Sequence, residues 1–146
     1  MKFLKNINNF ILERIETKSL YVDKSTIPNA GQGLFAKRDF KKGEMICNFR
    51  GDLIDNEELA KRDVGGERSH YFIEIRPDLT LDVYNSNCMA RYANDAEGNE
   101  KIGKSNNSEI NLNTKDSGAF IVPTRDIKAG EEIFLSYGEQ YWKNID

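Results

Sequence analysis

Gly130-Glu131-Glu132-Ile133-Phe134-Leu135-Ser136-Tyr137-Gly138 is a glycine turn that runs into an apolar strand and ends in a tyrosine–glycine pair. The turn belongs to a longer pattern, residues 125–133, which resembles residues 38–46. In each copy a glycine, Gly43 or Gly130, stands where a turn needs a positive φ angle. Because each copy follows an apolar run and precedes a strand, the pair predicts a small β domain that reuses one turn.

Short β-rich runs alternate with turns from Leu20 onward, which is typical of a mainly β domain. One short helix is expected after Asp55, which can cap its first turn, because Glu58 lies in capping-box register. Residues 95–113 are rich in Asn, Gly, Ser and Lys, and they predict a long loop. The expected fold class is mainly β with minor helix (α+β), with strands at residues 45–49, 71–75, 79–83, 119–122 and 133–135, of which the second and third form a hairpin.

The first eighteen residues predict a separate amphipathic helix, because their apolar side chains recur at three- and four-residue steps. The favoured interpretation is a helical extension, residues 1–18, that packs on a domain formed by residues 19–146. The alternative is a helix that binds a partner, a membrane surface or a second copy of the chain. Glu13 and Glu16 on its polar face argue against a membrane-surface helix.

The composition bounds the class of protein. The 146 residues fit one domain, and 38% apolar with 31% charged residues is typical of a globular chain. No apolar run approaches the roughly 20 residues of a membrane span, and no secretory signal is recognisable, so we expect an intracellular protein of the cytoplasm or nucleus. The net charge of −3 argues against a dedicated nucleic-acid binder and suits a basic substrate.

Two cysteines, Cys47 and Cys88, and one histidine, His70, cannot build a Cys/His zinc site alone, so no metal is expected. The two cysteines are expected to be buried, as small hydrophobic residues in a reducing compartment.

Three motifs carry groups that suit a ligand. Gly31-Gln32-Gly33 lets the backbone approach a ligand and present its N–H groups, although many such pairs are only turns. It is not a dinucleotide fingerprint, because no third glycine follows at the required spacing. Residues 91–95, Arg-Tyr-Ala-Asn-Asp, form either a capped turn or a polar site. The aromatic residues Tyr137, Tyr141 and Trp142 form either part of the core or an aromatic-lined pocket.

These motifs, in this order and in a chain of this size, resemble the SET-domain family of protein lysine methyltransferases. The resemblance covers residues 21–142. The family opens with Gly-x-Gly, an apolar pair and a turn, as in residues 31–46, and ends in a block like residues 130–138. Between them the family has an aromatic-x-Gly strand end, here residues 49–51, and an Arg-[Phe/Tyr]-x-Asn-His-Ser signature that residues 91–96 approximate.

The resemblance implies a β-clip fold of several small sheets, with a C-terminal segment threaded under a loop as a pseudoknot. It also implies S-adenosylmethionine as the cofactor, bound in one cleft, and a target lysine that enters a channel from the opposite side. The implied cofactor-binding residues are Gly31, Gln32, Gly33, Tyr71, Arg91, Asn94, Asp95 through its backbone, and Tyr141, with Trp142 as the second candidate for packing on the adenine ring.

The implied activity is protein-lysine N-methyltransfer, with Tyr137 as the catalytic residue and Phe49, Leu135 and Tyr137 lining the substrate channel. Methyl transfer needs a neutral amine, and for a free lysine of pKa about 10.4 this costs about 4.6 kcal/mol at pH 7. A narrow apolar channel disfavours the ammonium form and lowers this cost. An unperturbed tyrosine, with a pKa of about 10, stays protonated, so Tyr137 is expected to orient the amine rather than to act as a base.

The implied partner is a lysine-bearing protein or peptide, such as a basic histone tail, and no contact with nucleic acid or membrane is expected. The N-terminal helix is the candidate surface for an oligomer. The chain departs from the family pattern in three places: Asp95 replaces the histidine, Phe49 replaces a tyrosine, and Leu135 stands where Phe or Tyr is common. The departures leave a binding module without catalysis as an alternative. An unrelated β-clip domain that binds no S-adenosylmethionine is a third interpretation.

Overall fold

A computed structural model describes residues 14, 16–66, 71–113 and 115–136. Within these residues, short strands alternate with a few helical turns, as the sequence predicts. The strands are β1 (Leu20–Lys24), β2 (Gln32–Ala36), β3 (Cys47–Asn48), β4 (Asp52–Ile54), β5 (Phe72–Arg76), β6 (Leu79–Asp82), β7 (Ser108–Asn113), β8 (Gly118–Pro123), β9 (Glu132–Ile133) and β10 (Leu135–Ser136). The helical elements are α1 (Asn56–Arg62) and 3₁₀ turns at Val64–Gly66, Met89–Tyr92 and Glu100–Ile102.

The described strands form three small sheets, with the strand orders β1-β2-β9, β10-β7-β8-β3 and β4-β6-β5. The first sheet is antiparallel, with Leu20 opposite Ala36 and Leu34 opposite Ile133. These four side chains are essentially inaccessible to solvent, so they form one wall of the core between the sheets. The mainly β fold class of several small sheets is confirmed.

The two copies of the repeated turn pair with each other. The N–H of Phe40 donates to the carbonyl of Ile127, and the N–H of Ile127 donates to the carbonyl of Phe40, both at 2.8 Å. Gly43 and Gly130 adopt φ angles of 85° and 91°, so the turn residue predicted in each copy is confirmed. We call this reciprocal pair of turns the clasp.

Two aspartates complete the clasp with the same symmetry. Asp39 Oδ1 accepts a hydrogen bond from the N–H of Ala129 at 2.9 Å, and Asp126 Oδ1 accepts one from the N–H of Lys42 at 2.8 Å. Each aspartate therefore satisfies a backbone donor of the opposite copy, which otherwise would have only water as a partner. The repeat in the sequence is thus a pair of units that interlock in space.

The prediction of a loop over residues 95–113 is wrong at its C-terminal end. Residues 108–113 form β7, which pairs with β8 over its full length, and Glu100–Ile102 form a 3₁₀ turn. The polar residues of β7 alternate with Ile110 and Leu112, which is a strand pattern. The ladder with β8 outweighs the low intrinsic strand propensity of asparagine.

The predicted strand over residues 133–135 is interrupted. Ile133 belongs to β9, which pairs with β2, whereas Leu135 begins β10, which runs parallel to β7. Phe134 lies between them and bridges to Asn94. This segment therefore passes from one sheet to another within three residues. The predicted strand over residues 45–49 is also shorter than expected: β3 covers only two of these residues, although Ile46 and Phe49 on either side donate backbone hydrogen bonds to β8.

The predicted helix after Asp55 is confirmed as α1. Asp55 Oδ1 accepts a hydrogen bond from the N–H of Glu58 at 2.9 Å, as an N-cap does. The carboxylate of Glu58 accepts a hydrogen bond from Arg62, whose guanidinium also contacts Asp52 and Asp82. Arg62 therefore ties α1 to the third sheet.

Residues 16–19 have helical backbone, and they join the domain through a buried ion pair. Arg50 Nη1 and Nη2 donate to Glu16 Oε1 and Oε2 at 2.6 and 3.1 Å. The rest of the predicted extension, residues 1–13 and 15, lies outside the described residues. In the described part of the chain, no helix has the length and apolar character to cross a membrane.

Candidate active site

The loop between β1 and β2 ends at Gly31, the first residue of the Gly-x-Gly motif, whose other two residues begin β2. It is closed at its base by a hydrogen bond of 2.8 Å from the N–H of Ser25 to the carbonyl of Gly31. Gly31 has a φ angle of 75°, and no heavy atom lies within 4 Å of the position where a side chain would start. The motif therefore presents exposed backbone to open space at this point, as a ligand-binding loop requires.

Gly33 has a different reason to be glycine. It is buried, and a β-carbon there would overlap the carboxylate of Glu132 and would lie 3.2 Å from the Cα of Ser25. The sequence predicts that a ligand approaches the backbone closely at both glycines. Open space beside the backbone is present at Gly31, whereas the space beside Gly33 is taken by a carboxylate of the protein itself.

Glu132 is a site residue that the sequence interpretation did not single out. Its Oε2 accepts a hydrogen bond of 2.7 Å from Ser25 Oγ. Its Oε1 accepts from the N–H and the Oγ1 of Thr26, at 2.7 and 2.6 Å. Glu132 is only 5% exposed, so these bonds satisfy a buried charge. The signal available in the sequence was a carboxylate within a short apolar strand, since such a residue is buried only when it is paired.

Asn94 connects this loop to the C-terminal strands. The side-chain Nδ2 of Asn94 donates to the backbone carbonyl of Gln32 at 2.8 Å. The backbone carbonyl of Asn94 accepts from the N–H of Leu135, also at 2.8 Å. Three stretches that are far apart in the sequence therefore meet at Asn94. The structure brings together the Gly-x-Gly motif, the Arg-Tyr-Ala-Asn-Asp motif and the C-terminal block, as the resemblance implied.

Asn107 holds the same C-terminal strand from the other side. Its Nδ2 donates to the carbonyl of Glu132 at 2.9 Å, and its Oδ1 accepts from the N–H of Phe134, also at 2.9 Å. The side chain is 1% exposed. Residues 132–135 are thus held by hydrogen bonds to two asparagines, of which the sequence interpretation named only Asn94.

Tyr71 and Arg91 lie side by side. The guanidinium carbon of Arg91 is 5.5 Å from the ring centroid of Tyr71, and Arg91 Nη1 donates to the carbonyl of Ser86 at 2.7 Å. The ring of Tyr84 meets that of Tyr71 edge to face, with centroids 5.1 Å apart. Tyr92 flanks Arg91 at 5.8 Å. The two predicted residues therefore belong to an aromatic cluster that includes Tyr84 and Tyr92, which were not predicted as site residues.

The side chain of Asp95 closes the base of the following loop. Its Oδ1 accepts hydrogen bonds from Asn106 Nδ2 at 2.8 Å and from the N–H of Glu97 at 2.9 Å. Asn106 Oδ1 in turn accepts from the N–H of Ala96 at 2.8 Å. The aspartate that replaces the family's histidine therefore has a structural use in this chain. Its backbone remains the part expected to serve a cofactor.

Phe49 and Leu135, the predicted channel residues, belong to one buried cluster. Phe49 is 8% exposed and Leu135 is fully buried. Gly51 packs against the backbone of Asp82 so closely that a β-carbon would overlap its carbonyl oxygen. Three further residues of the predicted site, Tyr137, Tyr141 and Trp142, lie outside the described residues.

Both cysteines are buried free thiols. Burial, with a further contribution from Glu16 and Cys88, raises the pKa of Cys47 well above its ordinary value of 9.0. Within the described ranges, no group of three or more His, Cys, Asp or Glu side chains is arranged to hold a metal ion. His70 lies outside those ranges.

The SET domain family model matches residues 31–138, and the chain is similar to several lysine methyltransferases. It is 29% identical over 142 residues to the histone-lysine N-methyltransferase EZH2 of Chaetomium thermophilum, covering 91% of this chain and 9% of that protein. It is 27% identical to the N-lysine methyltransferase KMT5A-A of Xenopus laevis, covering 82% of this chain and 37% of that protein. It is 31% identical to the histone-lysine N-methyltransferase mes-4 of Caenorhabditis elegans, covering 79% of this chain and 14% of that protein.

Solved structures agree with this similarity. The Polycomb Repressive Complex 2 of Chaetomium thermophilum, in an autoinhibited conformation bound to S-adenosylmethionine, matches with a TM-score of 0.67 at 26% identity, covering 87% of this chain and 16% of that chain. This chain spans well under half the length of each of these relatives. A family match over residues 31–138, together with the shared fold, shows that the chain belongs to the SET-domain family.

Proposed function

We propose that this protein is an S-adenosylmethionine-dependent protein-lysine N-methyltransferase. The observation that carries the proposal is the hydrogen bond of 2.8 Å from Asn94 Nδ2 to the carbonyl of Gln32, which joins the family's separate motifs at one place. Family membership and the names of the relatives support the same activity.

The residues present fit such a cofactor. Gly31 offers exposed backbone with open space beside it, which suits the amino-acid end of the molecule. Asn94 is oriented beside the same loop, and Arg91 with Tyr71 offers a cation and an aromatic face. The backbone of Gln32, Gly33 and Asp95, together with Tyr141, completes the proposed set, with Trp142 as the second candidate for the adenine ring.

The cofactor supplies a methyl group activated on a sulfonium, and the chain's own residues prepare the acceptor. Phe49 and Leu135 present apolar walls, which disfavour the ammonium form of the incoming lysine. Release of that proton costs about 4.6 kcal/mol at pH 7 for a free lysine, so the apolar channel lowers a substantial barrier. Tyr137 orients the neutral amine in line with the bond to be broken, and such alignment contributes on the order of 7–11 kcal/mol.

The proposed substrate is a lysine-bearing protein with a basic, extended tail, of which a histone tail is one example. The net charge of −3 suits such a partner, and two of the relatives are named histone-lysine methyltransferases. An intracellular site of action, in the cytoplasm or nucleus, follows from this substrate class. Direct binding of nucleic acid or membrane is not part of the proposal, and the N-terminal helix remains the candidate surface for an oligomer.

A transfer assay with labelled S-adenosylmethionine tests the proposal. Core histones and a cell lysate serve as acceptors, and the Tyr137→Phe variant serves as the comparison. We expect label on a protein band with the unaltered chain and a loss of at least about 100-fold in the variant, because alignment is the main contribution of this residue. Absence of label together with absence of cofactor binding in calorimetry contradicts the proposal.

A binding module without catalysis is the second candidate. The observation that favours it is the pair of departures at Phe49, which lacks the family's hydroxyl, and Asp95, whose side chain closes a loop. This alternative predicts cofactor or peptide binding in calorimetry with no transfer to any acceptor. Detection of transfer by the same preparation excludes it.

A further inference from the structure

The carboxylate of Glu132 lies beneath the loop of residues 25–31 and holds its first two residues. Ser25 Oγ, the N–H of Thr26 and Thr26 Oγ1 all donate to it at 2.6–2.7 Å. Hydrogen bonds to an ionised acceptor are roughly twice as strong as neutral ones. Ser25 Oγ also accepts from the N–H of Ile27 at 3.1 Å, so the carboxylate orients the loop over three consecutive residues.

The neighbouring strand leaves space for the carboxylate of Glu132. Gly33, two residues before the cross-strand partner of Glu132 on β2, has no side chain where the carboxylate lies, and any β-carbon would overlap Oε2. The backbone of Glu132 is held independently, by pairing with Phe35 and by the hydrogen bond of 2.9 Å from Asn107 to its carbonyl. The side chain therefore reaches from a strand with a fixed backbone to the loop of residues 25–31, and the absence of a side chain at Gly33 leaves space for it.

We propose that Glu132 is a positioning residue that sets the shape of the Ser25–Gly31 loop and thereby its affinity for S-adenosylmethionine. This proposal rests on the proposed function. Gly31 lies at the far end of the loop, whose two ends are joined by the hydrogen bond from Ser25 to Gly31. Because Ser25 is one of the residues held by Glu132, an error in its placement is transmitted directly to Gly31.

The side-chain donors explain why a carboxylate is required. Ser25 Oγ, Thr26 N and Thr26 Oγ1 are donors in these contacts, and a carboxylate is acceptor-only. The amide of glutamine has nearly the same shape but replaces one acceptor oxygen with a donor. Glu132→Gln therefore places an N–H donor against a donor of the loop, and it leaves the backbone pairing of β9 with β2 in place.

The test is calorimetric titration of S-adenosylhomocysteine and S-adenosylmethionine into the full chain. We expect Glu132→Gln to weaken binding by about tenfold, as for the loss of a charge-assisted hydrogen bond. Glu131→Gln is the matched control, because it neutralises the adjacent carboxylate, which contacts Lys128 and Arg125 at the surface. We expect the control to bind like the unaltered chain.

A milder pair of variants keeps the proposal testable if Glu132→Gln unfolds. Thr26 is exposed on the loop, so Thr26→Val removes one hydroxyl donor without opening the core. We expect Thr26→Val to weaken binding about threefold. Thr26→Ser keeps the hydroxyl, and we expect it to bind like the unaltered chain. In the transfer assay we expect Glu132→Gln and Thr26→Val to raise the KM for the cofactor. Both variants leave kcat at saturation and the KM for the protein acceptor unchanged.

The outcomes separate the two proposals. If the unaltered chain binds neither ligand, the proposed function fails. If it binds and both Glu132→Gln and Thr26→Val bind equally well, the positioning role fails. A variant that loses stability in thermal unfolding but keeps its affinity also contradicts the proposal, since a purely structural glutamate would behave in that way.

Discussion

Single residues in this chain are explained by what surrounds them. Across the described residues, no buried side-chain nitrogen or oxygen is without a hydrogen-bond partner. Glu16 and Glu132 are carboxylates buried to about the same degree, and each is held by groups from a distant part of the chain. A buried charge is retained only when such partners are present, so these two residues report where distant segments meet.

Cys47 provides a prediction at this scale. Burial raises the pKa of its thiol, because the charged thiolate is disfavoured in the core. The folded chain therefore keeps its thiol protonated at pH 9.0, whereas half of an unfolded chain's thiol would be ionised at that pH. We expect reaction with a disulfide reagent to stay negligible from pH 7 to 9 in the native protein and to become complete in urea, with glutathione as the reactive control.

The raised pKa of Cys47 also predicts how the stability of the folded state changes with pH. Well below pH 9.0 both states hold the proton, and the thiol has no effect on the free energy of unfolding. As the pH rises above that value, the unfolded chain loses its proton first and the folded state loses stability. Rapid labelling of Cys47 in the native state at neutral pH would show that the thiol is accessible and the core packing is different.

Elements of the fold are joined by a few specific contacts, and one of them is the buried ion pair between Glu16 and Arg50. The two side chains are only 6% and 11% exposed, and the bond is bidentate. It ties the helical residues 16–19 to the segment that contains Phe49. The boundary drawn after residue 18 from the sequence therefore crosses a contact that helps to place a predicted channel residue.

A double-mutant cycle tests this contact. We expect Glu16→Gln and Arg50→Gln each to lower the free energy of unfolding by about 3 kcal/mol, because each removes one charged partner of a buried ion pair. The double variant should lose less than the sum of the two, since neither charge remains. Urea unfolding is the measurement, and Lys18→Gln, an exposed change on the same segment, is the control with an expected effect below about 0.5 kcal/mol. Additive losses would contradict the pairing.

At the scale of the whole molecule, the clasp joins the first sheet to the second. One copy of the turn leads from β2 toward β3, and the other leads from β8 into β9. Because the copies bond reciprocally, residues 38–46 and residues 125–133 are held against each other. The clasp also leads directly into β9, which carries Glu132, so the Ser25–Gly31 loop that Glu132 holds depends on contacts made far from it.

The two clasp aspartates have matched environments and should respond alike. We expect Asp39→Ala and Asp126→Ala each to lower the free energy of unfolding by about 1–2 kcal/mol, because each removes an acceptor from a backbone donor. Asp78→Ala, which removes an exposed ion pair with Arg76, is the control and should change it by less than about 0.5 kcal/mol. Urea unfolding measures the free energy for all three variants. A loss at only one clasp aspartate would show that the two hydrogen bonds, although alike in geometry, do not contribute equally to stability.

The sequence by itself determined the fold class, the N-cap of α1 and the repeated glycine turn, because these depend on local backbone preferences that the residues carry with them. The family was also readable, since its motifs keep their order along the chain. β7 was missed because its polar residues favour a loop locally, and only pairing with β8 makes them a strand.

Only the tertiary structure decided how the site is assembled. The roles of Glu132, Asn107 and the Glu16–Arg50 pair arise from contacts between residues 25 to 107 positions apart, and no local pattern encodes such contacts. The need for a glycine at position 33, where a β-carbon would overlap the carboxylate of Glu132, has the same origin. Local chemistry sets what a residue can do, whereas the long-range packing of the chain sets which partner it meets.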